Sequence, residues 1–174
     1  MIVWLNGTFG VGKTTTSAEL VRLIPEAHFF DPEQVGIMLT HATGLPKVED
    51  FQDWALWRTL VVETVTRLAG QLGGVLVLAQ TVLVEDYWQE IRAGLETAGI
   101  PLHHFVLHAD RATLVRRIEG DPQLPPSWRL DHLTAYQDAL PWLSREARIV
   151  DTTHLLPTEV AAHIAAAAVT PDRT

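Results

Sequence analysis

The stretch Ile2-Val3-Trp4-Leu5-Asn6 is followed directly by Gly7-Thr8-Phe9-Gly10-Val11-Gly12-Lys13-Thr14. The first segment is apolar, as a buried β-strand would be, and the second has the G-x-x-x-x-G-K-T spacing of a phosphate-binding loop, or P-loop. A helical pattern begins at Lys13. Because a strand precedes the loop and a helix follows it, the context argues against a chance match inside a glycine-containing turn.

This loop is expected to bind the phosphates of ATP or a close relative. Its glycines allow successive backbone N–H groups to converge on phosphate oxygens, and the following helix adds its positive end. We predict that Lys13 reaches the β- and γ-phosphates and that the Thr14 hydroxyl ligates Mg²⁺, with Thr15 donating to the α-phosphate. The predicted nucleotide-binding residues are Gly7, Thr8, Phe9, Gly10, Val11, Gly12, Lys13, Thr14 and Thr15.

Strand patterns and helix patterns alternate along the rest of the chain, which predicts an α/β fold with a parallel sheet covered on both faces. Residues 1–170 are predicted to form a single domain, with a lid segment near 118–128 and a frayed tail at 171–174. We predict strands at 2–6, 27–31, 75–79, 102–107 and 148–151, and helices at 13–23, 33–39, 50–72, 85–98, 111–118, 128–143 and 158–169.

Composition restricts the class of protein further. With 47% hydrophobic and 20% charged residues, the 174-residue chain is typical of a globular protein and too apolar for a disordered one. A net charge of −8 argues against general nucleic-acid binding, and the absence of cysteine excludes disulfides and thiolate metal sites. No signal peptide or membrane-spanning run is apparent, so we expect a cytoplasmic protein, with peripheral membrane association left open.

The chain resembles the tunicamycin-resistance family of P-loop proteins over most of its length. The resemblance implies a kinase-like fold of the nucleotide-kinase and shikimate-kinase type, a sheet of five parallel strands with the P-loop strand in the middle, and use of ATP and Mg²⁺. It also implies resistance to the nucleoside antibiotic tunicamycin, by phosphorylating or binding the drug. The similar segments are 2–14, Phe30-Asp31-Pro32-Glu33, Asp50-Phe51-Gln52, Leu56-Trp57-Arg58, His103-His104-Phe105, Thr113-Leu114, Arg117 and Ser127-Trp128.

Asp31 and Arg58 are the first candidates for contact with the substrate. Asp31 follows a strand at the edge where open α/β sheets bind ligands, and it could orient an acceptor hydroxyl and accept its proton. The alternative is a helix N-cap, with Gln34 as its partner. Arg58 falls on the apolar face of a predicted helix, so it needs an anion, which is either the substrate or an internal carboxylate.

Further candidates lie on the same long helix and at the end of the strand 75–79. Trp54 and Trp57 could stack on a uracil or sugar ring, although aromatic residues on a helix face more often belong to the core. Gln80 and Thr81 could donate hydrogen bonds to the substrate.

Arginines flank the predicted lid. In related kinases, lid arginines stabilise the transferring phosphate. We expect Arg117 to be catalytic, together with Lys13 and Asp31; a solvated helix end is the alternative for Arg117 and its neighbours Arg116 and Arg129.

Two departures from the usual pattern of P-loop kinases leave the function open between alternatives. Ala79-Gln80-Thr81 stands where many P-loop proteins carry an aspartate that orders Mg²⁺, and the predicted lid carries Glu119 and Asp121 instead of several arginines. The sequence therefore predicts an ATP-dependent phosphotransferase acting on a small molecule, tunicamycin or a similar nucleoside or sugar. The alternatives are a nucleotide-dependent protein that sequesters the drug and a metabolite kinase.

Overall fold

Five parallel strands form one sheet, with the strand that precedes the P-loop at its centre. The computed structural model describes residues 1–122 and 126–169. The strand order is β2-β3-β1-β4-β5. The strands are β1 (Ile2–Asn6), β2 (Ala27–Phe30), β3 (Val75–Ala79), β4 (Leu102–His108) and β5 (Arg148–Asp151), and the helices are α1 (Lys13–Leu23), α2 (Glu33–Thr40), α3 (Ala55–Leu72), α4 (Glu85–Thr97), α5 (Arg111–Glu119), α6 (Pro126–Glu146) and α7 (Pro157–Val169).

Helices cover both faces of the sheet because the central strands are buried on both sides. Successive side chains of a strand point to opposite faces. Val3 and Leu5 therefore pack in one hydrophobic core with α1, α5 and α7. Ile2 and Trp4 pack in the other core with α3, α4 and α6. The prediction of a three-layer α/β fold with a five-stranded parallel sheet is confirmed.

The long helix predicted for residues 50–72 is divided in two. Phe51–Asp53 form a separate 3-10 helix, which begins where the Asp50 carboxylate accepts a hydrogen bond from the Gln52 N–H. Trp54 is then extended (φ −73°, ψ 115°), and α3 begins only at Ala55. The Trp54 indole donates to the Pro46 carbonyl at 2.9 Å, which holds this break in place.

Two parts of the predicted organisation extend beyond the described residues. Part of the predicted lid, residues 123–125, and the predicted tail at 171–174 lie outside the described residues. Helix α6 begins at Pro126 and continues to Glu146, so it is longer at both ends than predicted. In the described part of the chain, no helix is both long enough and apolar enough to cross a membrane.

The side chain of Asn6 connects the end of β1 to the segment that follows β3. Its Oδ1 accepts hydrogen bonds from the N–H groups of Gly7 (2.8 Å) and Val82 (3.0 Å), and its Nδ2 donates to the Val82 carbonyl (2.9 Å). Asn6 has no exposed surface. Because buried polar groups must be paired, this amide fixes where the P-loop begins relative to the neighbouring strand.

Replacing Asn6 by alanine is expected to destabilise the protein strongly. The Asn6→Ala variant leaves the buried N–H groups of Gly7 and Val82 unpaired, which should lower the free energy of unfolding by roughly 2–4 kcal/mol. Urea denaturation followed by circular dichroism measures this change. Gln71→Ala, at an exposed position, is the control and should change the free energy by less than about 0.5 kcal/mol. An Asn6→Ala variant as stable as the control would contradict the bridging role.

Candidate active site

The P-loop joins β1 to α1 at the carboxyl edge of the sheet, in a conformation that requires its glycines. Gly7, Gly10 and Gly12 have φ values of 127°, 78° and 93°. These lie in the left-handed region that side chains disfavour. A Cβ atom at Gly7 would also overlap the Leu107 carbonyl oxygen of β4. Gly12 precedes α1 without a side-chain cap, so the first N–H groups of α1 are left for an anion.

Lys13 turns back over the loop that precedes it. Its Nζ donates to the carbonyls of Gly7 (2.8 Å) and Thr8 (2.9 Å) and lies 5.7 Å from the centre of the Phe9 ring. Burial lowers the pKa of Lys13 to about 7, although the nearby carboxylates of Glu33 and Asp31 favour the charged form. A phosphate at this position would compensate for the lost hydration of the ammonium and restore its charge.

The threonines of the loop differ in their surroundings. Thr14, predicted to ligate Mg²⁺, is exposed in the first turn of α1, whereas the Thr15 hydroxyl donates to the Gly12 carbonyl at 2.9 Å. The Thr8 Oγ1 is buried without a hydrogen-bond partner in the described structure. An exposed hydroxyl beside uncapped helix N–H groups fits Mg²⁺ bound together with phosphates, which is the usual way in which proteins hold this ion.

Among residues 1–122 and 126–169, no group of three or more His, Asp or Glu side chains could hold a metal ion by itself.

Acidic side chains approach the loop from the end of β2. Asp31 Oδ1 accepts from the Glu33 N–H at 3.0 Å and so closes the turn into α2. The N-cap position of α2 is occupied by Pro32 and not by Asp31 as predicted, and Asp31 bonds the first N–H group of the helix from one residue earlier. Burial, Asp31 and Asp50 raise the pKa of Glu33, while Lys13 lowers it. Glu33 received no role from the sequence, because nothing local indicates that it lies near Lys13.

Arg58 forms an internal ion pair, which was the alternative to substrate contact. Its Nε donates to Glu90 Oε2 at 2.6 Å and its Nη2 to Glu90 Oε1 at 3.2 Å, and its Nη1 donates to the Gln52 carbonyl. The guanidinium carbon also lies 4.1 Å from the centre of the Tyr87 ring. The side chain of Arg58 is only 9% exposed. Arg58 therefore fastens the 3-10 helix to α4, and substrate contact remains a prediction.

Trp57 is buried, which favours the core interpretation of this side chain; stacking on a substrate remains a prediction. It has no accessible surface, and its indole donates to the Pro32 carbonyl at 3.2 Å. It packs in the core beneath α2, 5.3 Å from the Phe51 ring. The periodicity of α3 predicts that Trp57 belongs to the core, and the absence of accessible surface on this side chain agrees with that.

Gln80 and Thr81, predicted to contact substrate, support the loop from the end of β3. The Thr81 hydroxyl donates to the Gly7 carbonyl at 2.7 Å. The Thr81 carbonyl accepts from the side chains of Gln80 (3.2 Å) and Gln52 (3.0 Å). These bonds join the P-loop, β3 and the 3-10 helix, and direct contact with a substrate remains a prediction for both residues.

Arg117 supports the P-loop from the side of α5. Its Nη1 donates to the Gly10 carbonyl (3.3 Å) and to the Thr152 hydroxyl (3.2 Å), and its Nη2 donates to the Thr152 carbonyl (2.8 Å). The single hydrogen of the Thr152 hydroxyl is within donating distance of two carbonyls, those of Val11 (3.2 Å) and His108 (3.0 Å). Arg129, the arginine after the predicted lid, is buried and bonded to Asp121 at 2.7 Å. Arg117 therefore holds the phosphate loop, and its predicted catalytic role stays a prediction.

A P-loop at the centre of a five-stranded parallel sheet, with acids after the edge strand β2, defines a P-loop protein of the small-molecule-kinase fold. The chain belongs to the AAA domain family, which matches residues 2–120. No curated protein matches the sequence significantly.

Among solved structures, the chain is similar to the tunicamycin resistance protein of Deinococcus radiodurans, with 24% identity, a TM-score of 0.74 and coverage of 95% of this chain and 94% of that one. It is also similar to a gluconokinase from Sinorhizobium meliloti 1021 (18% identity, TM-score 0.66, coverage 95% and 92%). A shikimate kinase from Bacteroides thetaiotaomicron matches with 15% identity, a TM-score of 0.63 and coverage of 96% and 97%. The resemblance and the shikimate-kinase-like architecture predicted from the sequence are thereby confirmed as a likeness of fold.

Nucleotide binding is expected to be accompanied by proton uptake at Lys13. In the free protein the pKa of about 7 leaves the amine largely neutral at pH 8.5, whereas bound phosphate favours the ammonium. Roughly one proton should therefore be taken up per MgATP at pH 8.5, and affinity should fall as pH rises from 7. Calorimetry in buffers of different ionisation enthalpy measures the uptake. Lys13→Arg, which stays charged, should show none, and negligible uptake by the unmodified protein would contradict the depressed pKa.

Removing Arg117 is expected to weaken nucleotide binding because the loop loses its support. In Arg117→Ala the Gly10 carbonyl and Thr152 lose their donor, and affinity for MgATP should fall about tenfold. Arg116→Ala is the matched control, since Arg116 is exposed and donates to the Thr113 hydroxyl of its own helix. Its affinity should stay within about twofold. Unchanged MgATP affinity in Arg117→Ala, with turnover alone reduced, would instead support the predicted catalytic role.

Proposed function

We propose that this protein is an ATP-dependent phosphotransferase that phosphorylates a hydroxyl of a small molecule, with tunicamycin as the acceptor. The observation that carries the proposal is that Lys13 interacts with both the P-loop carbonyls and the carboxylates of Asp31 and Glu33. A phosphate-binding cation and side chains able to orient a hydroxyl thus share one site. The choice of tunicamycin is supported by similarity to a structure described as a tunicamycin resistance protein.

The proposed roles follow from the chemistry of each side chain. Lys13 binds the β- and γ-phosphates, the loop N–H groups bind phosphate oxygens, and Thr15 donates to the α-phosphate. When bound, Mg²⁺ neutralises charge on the β- and γ-phosphates, and Thr14 is the residue that would ligate it. The acceptor oxygen forms a bond to the γ-phosphorus, the bond to the β–γ bridging oxygen breaks, and ADP leaves. Asp31 orients the acceptor hydroxyl and takes its proton.

A nucleotide-dependent binding protein is the second candidate. It is favoured by the residues Ala79-Gln80-Thr81 at the end of β3, where many P-loop enzymes carry an acid. The bonds of Arg129 to Asp121 also favour it, because a guanidinium paired with a carboxylate contributes less charge to a transferring phosphate. A metabolite kinase is the third, since gluconokinase and shikimate kinase share the fold. The cytoplasmic location expected from the sequence is part of the kinase proposal, because ATP is the donor.

Incubating the purified protein with tunicamycin and MgATP is expected to give a drug product heavier by one phosphate, with release of one ADP. Mass spectrometry of the drug and a coupled ADP assay measure the two products. Lys13→Ala should abolish both, and Asp31→Asn should reduce turnover by about 10²–10⁴-fold with little change in MgATP affinity, as expected for loss of a general base.

The alternatives give different outcomes in the same experiment. Unmodified tunicamycin, under conditions where MgATP binds, would contradict phosphotransfer and leave sequestration. Sequestration fails in turn if Lys13→Ala retains affinity for tunicamycin but no longer protects cells. ADP release with gluconate or shikimate, and none with tunicamycin, would identify a metabolite kinase.

A further inference from the structure

A cavity of about 770 Å³ opens between α4 and α6, at the edge of the sheet opposite the phosphate loop. Its wall consists of residues 99–104 and 145–148, which lead into β4 and β5, and of three side chains of α4. Because the strands are parallel, the amino ends of β4 and β5 lie at one edge, and the P-loop leaves β1 at the other. The volume falls within the range of small-molecule sites, about 300–1,000 Å³. We call this space the amino-edge cavity.

Two stacked rings in the wall carry buried nitrogen atoms that the protein itself does not satisfy. The ring centres of Trp88 and His104 are 3.8 Å apart. Trp88 is fully buried and His104 is 8% exposed. Within the described part of the chain, neither Trp88 Nε1 nor His104 Nδ1 has a hydrogen-bond partner. Nearly all buried polar groups in proteins are paired, so two such atoms in the wall of one cavity point to a ligand.

Both of these nitrogens are donors. The indole nitrogen of Trp88 can only donate. His104 Nε2 lies 3.4 Å from Asn6 Nδ2, which also can only donate, because the amide oxygen of Asn6 accepts from two backbone N–H groups. Burial lowers the pKa of His104 to about 3, so the ring is neutral, Nε2 accepts and Nδ1 carries the hydrogen. The Glu146 carbonyl favours the charged ring, but no hydrogen bond of the usual distance and angle joins it to Nδ1.

Arginines give the wall of the amino-edge cavity a positive formal charge. Arg92 of α4, Arg145 of α6 and Arg148 of β5 all line it. The carboxylates in the wall are those of Glu96 and Glu146, and both are paired with Arg92. Three arginines against two glutamates leave an excess of positive charge, in a protein whose net charge is −8.

Arg145 is held where it could reach a ligand at little cost. Its guanidinium pairs with Glu85 at 3.0 Å, and the two side chains are 61% and 42% exposed. Ion pairs as exposed as this one contribute little to stability, so the guanidinium can exchange Glu85 for a bound anion.

We propose that the amino-edge cavity is a second binding site, which takes a small oxyanion, either a phosphate or a carboxylate, on the N–H groups of Trp88 and His104. Arg145 and Arg148 supply the positive charge. An oxyanion accepts several hydrogen bonds at once, and bonds from cationic donors to it are the strong ones. The site lies apart from both the phosphate loop and the proposed acceptor, so it does not depend on whether the protein transfers phosphate.

Calorimetric titration with inorganic phosphate and with succinate tests the site. The protein is first saturated with Mg²⁺ and a non-hydrolysable ATP analogue, so that the phosphate loop is occupied, and the ionic strength is held constant. At least one of the two anions should bind saturably at millimolar concentration. The double variant Arg145→Gln, Arg148→Gln should bind it about 10- to 100-fold more weakly, as expected when charge-assisted hydrogen bonds are lost.

The charge-matched control is the double variant Arg22→Gln, Arg67→Gln. It removes two exposed arginines, each paired with a glutamate of its own helix, and should bind the anion within about twofold of the unmodified protein. Affinity for the ATP analogue, expected to change less than threefold, reports that each variant is folded.

The indole of Trp88 gives a second readout that a structural role of the arginines would not move. In nuclear magnetic resonance spectra of isotope-labelled protein, the Trp88 N–H signal is identified by its absence from Trp88→Phe. It should shift as the anion is added and reach its limit at the concentration at which calorimetry shows saturation. Trp88→Phe, which keeps a buried ring but lacks the donor, should bind about tenfold more weakly.

The two anions distinguish the two kinds of ligand. Tighter binding of phosphate would identify a phosphate site and tighter binding of succinate a carboxylate site, and each supports the proposal. Three results would overturn it: no saturable binding of either anion, binding retained in Arg145→Gln, Arg148→Gln, or a Trp88 signal that does not respond. Absence of tunicamycin phosphorylation, by contrast, would contradict the proposed function and leave the outcome of these titrations unchanged.

Discussion

The backbone of Gly7 is the point on which the site depends. The Gly7 N–H is held by the Asn6 side chain, and the Gly7 carbonyl accepts from both Lys13 and Thr81. All of these groups are buried or partly buried, so the bonds among them replace bonds to water. Gly7 also passes too close to Leu107 for any side chain. The central strand thus fixes the direction in which the loop leaves the sheet, and the positions of Lys13 and α1 follow from that direction.

A second group of contacts converts a flexible glycine-rich segment into a preorganised one. Thr81 after β3, Thr152 after β5 and Arg117 from α5 each lie within hydrogen-bond distance of a carbonyl of the loop. Carbonyls held outward by these donors leave the loop N–H groups for an anion, so little reorganisation is needed when phosphate binds. Glycine conformational entropy, which would otherwise oppose this arrangement, is offset by bonds from three separate elements.

The sequence predicts those parts of the structure that local interactions determine. The apolar runs fix the five strands to within one residue, and the P-loop spacing identifies the phosphate site, because both depend on neighbouring residues. The start of α3 was missed because the Trp54 indole bonds a carbonyl eight residues earlier in the chain. Arg58 was correctly expected to need an anion, yet its partner Glu90 lies 32 residues away on another helix. Periodicity indicates that a buried cation must be paired, and only tertiary packing selects between a carboxylate and a ligand.

The contacts of the arginines bear on how phosphate charge would be stabilised. Arg58 and Arg129 are paired with Glu90 and Asp121, so the charge of each is offset by a neighbouring carboxylate. The described bonds of Arg117 run to carbonyls and a hydroxyl, which satisfy its N–H groups without cancelling its charge. Its positive field therefore acts beside Gly10 of the phosphate loop, where a partly buried charge is weakly screened. Support of the loop and electrostatic stabilisation of a phosphate are thus compatible roles for Arg117, and a fixed arginine needs no lid motion to supply both.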